Sequence, residues 1–155
     1  MADEPTLSAT VSVDASPETV YSLVSDLTRM GEWSPEATGG RWIGKARGPE
    51  VGARFIGTNK GSWRWWPTTT LVTAADPGRR FAFETRIGPM VVAGWAYDIT
   101  PTESGCALTE SWTDHRNGAI VVVGKYLTGV DDRVAHTRSM LDTTLARLKT
   151  GAENA

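Results

Sequence analysis

Glu110 is the ionisable residue with the most chemistry to offer. It stands in Leu108-Thr109-Glu110-Ser111-Trp112, where strand alternation gives Leu108, Glu110 and Trp112 one shared face. If that face is buried, a carboxyl group enters an apolar interior, where the loss of water disfavours its charge. Such a group suits a general acid, or a base for enolising a carbon next to a carbonyl. Two plainer outcomes stay open: an arginine that satisfies it structurally, or water that reaches it. Tyr97 falls on the same face as Val91, Ala93 and Trp95 in the preceding strand. Its phenol would either polarise a bound carbonyl or simply anchor a ligand oxygen. Glu110 and Tyr97 are therefore the candidate catalytic residues. Asp114 has the parity of Glu110 but lies near the strand end, closer to solvent.

Other chemistries find little support. His115 and His136 are the only histidines and form no metal-spaced pair, and Cys106 has no second thiol for a zinc site or an internal disulfide. No metal and no other cofactor is expected. His136 falls off the apolar stripe of its helix, which predicts a solvated ring. The chain has no Gly-Xaa-Ser-Xaa-Gly elbow, no phosphate-binding glycine loop with lysine and no dinucleotide fingerprint. Trp63-Arg64-Trp65-Trp66-Pro67 concentrates three of the seven tryptophans. Alternation there sends Trp66 opposite to Trp63 and Trp65, leaving at least one ring for solvent or a partner. A rim packed on Trp42, or an aromatic platform on an exposed sheet, would explain the cluster as well.

These residues need a frame, and 155 residues with 40% hydrophobic content supply enough core for one domain spanning residues 1–155. A net charge of −2 gives no electrostatic footprint for nucleic acid, and no apolar run is long enough for stable membrane insertion. The N-terminus lacks the basic start and apolar stretch of a signal peptide, so a cytoplasmic location is expected.

The first element is a strand through Leu7, Ala9, Val11 and Val13, which alternate with polar residues. It feeds a helix with Ser16 as cap, Pro17 at the first helical position, and Val20, Leu23 and Val24 on one face. A second short helix is predicted over Leu27 to Trp33, stopped at Ser34-Pro35. Strands are then predicted over Arg41–Gly44, Ala53–Thr58, Trp65–Ala74, Arg80–Ile87, Val91–Thr100 and Ala107–His115. Their short connections, rich in Gly, Pro, Asp and Asn, indicate an antiparallel meander. Residues 119–127 are ambiguous and are read as a short helix. From Asp131 to Lys149, Val134, Thr137, Leu141, Thr144, Leu145 and Leu148 form one helical stripe, with Arg133, His136, Arg147 and Lys149 away from its centre.

The order of these elements resembles the START-like (SRPBCC) superfamily of helix-grip proteins, in its polyketide cyclase/dehydratase and lipid-transport branch. The resemblance rests on Val13-Asp14-Ala15-Ser16-Pro17-Glu18-Thr19-Val20-Tyr21, Met30-Gly31-Glu32-Trp33-Ser34-Pro35-Glu36 and Val51-Gly52-Ala53-Arg54-Phe55. It continues through Ala75-Asp76-Pro77-Gly78-Arg79-Arg80-Phe81-Ala82-Phe83, the Glu110 strand and Thr144-Leu145-Ala146-Arg147-Leu148-Lys149, and so covers nearly the whole chain. The fold it implies is α+β: a curved antiparallel sheet of about seven strands wrapped around a long C-terminal helix, with two short helices after the first strand. It also implies a cavity between sheet and helix for a hydrophobic ligand. The expected lining is Trp33, Phe55, Phe83, Trp95, Tyr97, Glu110, Trp112, Thr137 and Leu141.

Three functions fit these expectations. The first is binding or carriage of a lipid-like or polyketide-like small molecule. The second is a cyclase or dehydratase that folds a poly-carbonyl chain, with Tyr97 polarising an oxygen and Glu110 moving a proton. The third is a protein-partner module using the Trp63 to Trp66 surface. Monomer and homodimer are both compatible with the sequence.

Overall fold

The computed structural model describes residues 4–61, 64–119, 121–122, 125 and 132–155. The order is β1 (Leu7–Val13), α1 (Pro17–Val24), a 3-10 helix (Leu27–Glu32), β2 (Ala37–Ile43), β3 (Arg54–Lys60), β4 (Trp65–Asp76), β5 (Arg80–Ile87), β6 (Met90–Pro101), β7 (Cys106–Asp114) and α2 (Arg133–Glu153). The seven strands form one antiparallel sheet in the order β1-β7-β6-β5-β4-β3-β2. The helix-grip architecture expected from the sequence is thus present. The helix read over residues 119–127 falls largely outside the described residues, as do Trp63 and Asp131.

Local signals account for the helix starts. The Ser16 side chain accepts the Thr19 N–H at 3.1 Å, with Pro17 opening α1 as expected. Asp132 caps α2 in the same way, accepting the Ala135 N–H at 3.1 Å. The helix runs four residues past the expected end, to Glu153. There the Glu153 carboxylate accepts the Asp14 backbone N–H at 2.9 Å, and Lys149 donates to the Ser12 carbonyl at 2.8 Å. These contacts fasten the end of α2 to the turn between β1 and α1.

The main core lies between the sheet, α1 and the C-terminal half of α2, where Phe81, Cys106, Leu108, Leu145, Leu148 and Ala152 are buried with Val20 and Val24. A smaller cluster joins Leu7, Val92, Ala93 and Trp112 to Leu141. Val134, expected on the buried stripe, is instead 40% exposed, so the stripe begins at Thr137.

Two irregularities set which side chains turn inward. β6 carries a bulge, since Thr85 pairs with Ala93 but Arg86 pairs with Val91, leaving Val92 as the extra residue. The bulge reverses parity beyond it. Val91, expected inward, therefore turns away from the buried face, and Val92 takes that role. β2 begins four residues earlier than expected, at Ala37, and shifts register between Ala37 and Gly39. Gly40 lies so close to β3 that an added Cβ would collide with the Ile56 carbonyl oxygen and crowd the Phe55 ring. Bare backbone here lets Phe55 lie under the strand.

Candidate functional site

The space between the concave sheet and the N-terminal half of α2 is a cavity of about 170 Å³. Each wall follows from the alternation of a strand or the stripe of the helix. β7 contributes Glu110 and Trp112, β6 Val92, Ala93, Trp95 and Tyr97, β5 Phe83 and Thr85, and β3 Phe55, while α2 closes the other side with Thr137, Met140 and Thr144. The Trp95 and Trp112 rings lie 6.4 Å apart with a 40° tilt, which makes an aromatic floor beside Glu110.

Glu110 is 2% exposed at the centre of that floor. Its Oε1 accepts the Tyr97 hydroxyl at 2.9 Å, and its Oε2 has no partner among the described residues. Burial pushes the Glu110 carboxyl up to about 8, against the smaller opposing effect of the Tyr97 hydrogen bond. At neutral pH the side chain is accordingly a carboxylic acid. Burial, reinforced by the neighbouring Glu110 carboxyl, also drives the Tyr97 phenol well above its ordinary value. Because the Tyr97 proton is already directed at Glu110, the group with unused hydrogen-bonding capacity is Glu110. On the opposite wall Thr137 is fully buried, and its hydroxyl too lacks a partner.

Charged groups mark the rim. Glu36, from the segment before β2, receives Arg133 Nη1 at 2.7 Å and lies 3.1 Å from His136 Nε2, so it ties the start of α2 to the sheet edge. Arg116, just past β7, is bidentate to Asp114 and lies over the Trp112 ring at 6.0 Å. The ion pair holds the Asp114 carboxyl below its ordinary range, chiefly through the Arg116 hydrogen bond. Asp114 is therefore engaged at the rim rather than simply solvated.

Of the expected lining residues, Phe55, Phe83, Trp95, Tyr97, Glu110, Trp112 and Thr137 are brought together around the cavity. Trp33 and Leu141 are not. Trp33 is buried in the main core beneath the 3-10 helix, with Arg29 stacked at 5.3 Å from its ring. Leu141 points one helical step away from Met140 and Thr144, into the smaller cluster with Leu7 and Trp112. Glu36, Arg116 and Arg133 join the cavity wall without being expected there from sequence, Arg133 although it lies away from the centre of the helical stripe. His136, expected in solvent, is half-buried against Glu36 instead. Nothing local in sequence signals a pairing between residues 97 and 100 positions apart.

The tryptophan cluster divides as alternation requires. Trp65 is 68% exposed, whereas Trp66 is buried and reaches the cavity wall. Trp65 and Trp66 thus face opposite sides of the sheet, Trp63 lies outside the described residues, and the Trp42 ring packs edge-on against Phe55 at 5.3 Å.

An open-sided antiparallel sheet gripping a long helix around a lined cavity defines the helix-grip class. Residues 4–153 match the model of the polyketide cyclase/dehydrase and lipid transport family, and the chain belongs to that family. Among solved structures, the polyketide cyclase-like protein Cgl2372 of Corynebacterium glutamicum is 32% identical, with a TM-score of 0.61 over 93% of this chain and 89% of that one. The di-domain ARO/CYC protein StfQ of the steffimycin biosynthetic pathway is 16% identical, with a TM-score of 0.73 over 96% of this chain and 50% of StfQ. The Aha1 dimer of Colwellia psychrerythraea is 13% identical, with a TM-score of 0.65 over 95% of each chain. The last two likenesses concern the fold. No curated protein matches the chain. Among the described residues, no helix is long and apolar enough to cross a membrane.

Proposed function

We propose that the protein binds and carries an uncharged hydrophobic small molecule, lipid-like or polyketide-like in character, in the cavity between sheet and helix. The observation that carries this reading is an apolar, aromatic-floored space of about 170 Å³ left open inside an otherwise close-packed interior. Family membership supports it, since the family description includes lipid transport. The cavity is walled by one chain, so the reading holds equally for a monomer and a homodimer. Burying roughly 200 Å² of apolar ligand surface contributes about 5 kcal/mol before rigid-body costs. Desolvation alone therefore limits a ring-sized guest to an affinity no tighter than about 0.2 mM, and polar contacts must supply the rest. Native mass spectrometry of gently purified protein, together with a melting screen against apolar probes, tests the proposal. Retained small molecules or probe-induced stabilisation support it, and an empty protein that no probe stabilises argues against it.

A second reading, a cyclase- or dehydratase-type enzyme, is favoured by the Tyr97–Glu110 contact. A buried carboxylic acid held by a phenol at 2.9 Å is built to deliver a proton to a developing enol or leaving hydroxyl. In this reading Glu110 is the acid and Tyr97 orients it, while cavity shape folds the chain of carbonyls. Glu110→Gln should then keep the fold but abolish turnover of a poly-carbonyl substrate. Unchanged turnover would remove Glu110 from the mechanism.

A further inference from the structure

The cavity contains two deeply buried polar groups whose capacity nothing in the described protein uses. Glu110 Oε2, on β7, and the Thr137 hydroxyl, on α2, are both unpartnered, and both residues belong to the wall of the same cavity. An unpartnered buried polar group costs about as much as a lost hydrogen bond. Two of them, on facing walls of one space, are explained at once by a guest that supplies an oxygen. We propose that Glu110 and Thr137 form a paired hydrogen-bonding subsite that selects compact, uncharged, ring-containing ligands bearing a carbonyl oxygen over oxygen-free hydrocarbons and over carboxylates. This inference rests on the carriage reading and sharpens it from apolar guests in general to one chemical class.

The chemistry follows from which atoms hold protons. Tyr97 donates to Oε1 of Glu110, so the remaining O–H of the neutral acid lies on the Oε2 side and can donate to a carbonyl oxygen. Thr137 adds a second donor. A carboxylate guest meets a different balance. The other charged groups of the wall are already engaged: Glu36 by Arg133 and His136, and Arg116 by Asp114. An anion would thus bring its charge into an aromatic floor with no free cation among the described wall residues to offset the loss of water.

The test uses three one-ring probes titrated into the intact protein at pH 6.5 and followed by amide chemical shifts. These are acetophenone, its oxygen-free counterpart ethylbenzene, and benzoate. Acetophenone should bind about fivefold to tenfold more tightly than ethylbenzene, and benzoate more weakly than either. The preference for acetophenone should fade as the pH rises through about 8, where Glu110 loses its proton. In Thr137→Val, which keeps the side-chain shape, the acetophenone preference should fall while ethylbenzene affinity holds. Equal affinities for acetophenone and ethylbenzene in the unmodified protein would overturn the subsite but leave carriage intact. So would tighter binding of benzoate. Absence of binding by both uncharged probes would overturn subsite and carriage together.

Discussion

At the scale of single residues, the Glu110 carboxyl leaves a signature in stability. Its value in the folded protein, about 8, lies above the ordinary 4.5, so between those limits the folded state holds a proton that the unfolded chain has released. Stability from this residue is full below the lower limit and is lost as pH rises toward the upper one. Thermal melts from pH 4.5 to 8 should therefore show a decline that is absent in Glu110→Gln, and parallel profiles for the two proteins would contradict the burial of a neutral acid. Thr137 gives a second expectation. Its hydroxyl is buried without a partner among the described residues, so Thr137→Val should raise the stability of the ligand-free protein by about 1 kcal/mol in denaturant unfolding. A loss of stability would mean that the hydroxyl has a partner, such as an ordered water. The position of Glu110 was legible in sequence because Leu108 and Trp112 flank it at strand spacing. Its unused oxygen was not, since hydrogen-bond balance depends on where Tyr97 lands, thirteen residues away.

At the scale of elements, two departures from regular pairing aim the site. The β6 bulge turns Val92 toward the cavity, and it left no trace in an alternating pattern that reads equally well without it. That is why Val91 was assigned to the wrong face while Ala93, Trp95 and Tyr97 were assigned correctly. The β2–β3 pairing depends on Gly40, whose missing side chain leaves room for the Ile56 carbonyl and the Phe55 ring. Gly40→Ala should lower stability by about 2 kcal/mol or more, because the obstructing atom belongs to the backbone of a neighbouring strand and cannot rotate away. Equilibrium unfolding would reveal it, and an unperturbed midpoint would show that β2 can shift as a unit. Helix positions were legible from caps and stripes. Trp33 and Leu141 lie in packed clusters away from the cavity wall, and an apolar residue type marks a buried position without saying whether it faces solid core or open space.

For the molecule as a whole, stability and binding compete for the same volume. Filling the cavity should strengthen the ligand-free protein and remove its guest. Ala93 stands on the cavity wall in β6, where a β-branched side chain suits the strand. Ala93→Ile should therefore raise the melting temperature while abolishing the stabilisation given by acetophenone. A variant that melts higher and still binds would place the guest elsewhere. The meander, the seven-strand sheet and the terminal helix were all foreshadowed by turn residues and periodicity. The size of the gap was not, because it is a small difference between the volume enclosed by distant elements and the side chains that enter it.

The helix itself is held unevenly. Its far end is locked by Leu145, Leu148 and Ala152 in the core and by Lys149 on Ser12 and Glu153 on Asp14, while its near half is held by buried Thr137, Met140 and Leu141 and, at the first turn, by the Glu36 bridge to Arg133 and His136. The first turn is therefore expected to open before the rest of the helix moves, widening the space beneath it for a larger guest. Amide protons should accordingly exchange quickly from Val134 to Arg138 and slowly from Leu145 to Leu148. Occupation of the interior should slow the first group far more than the second.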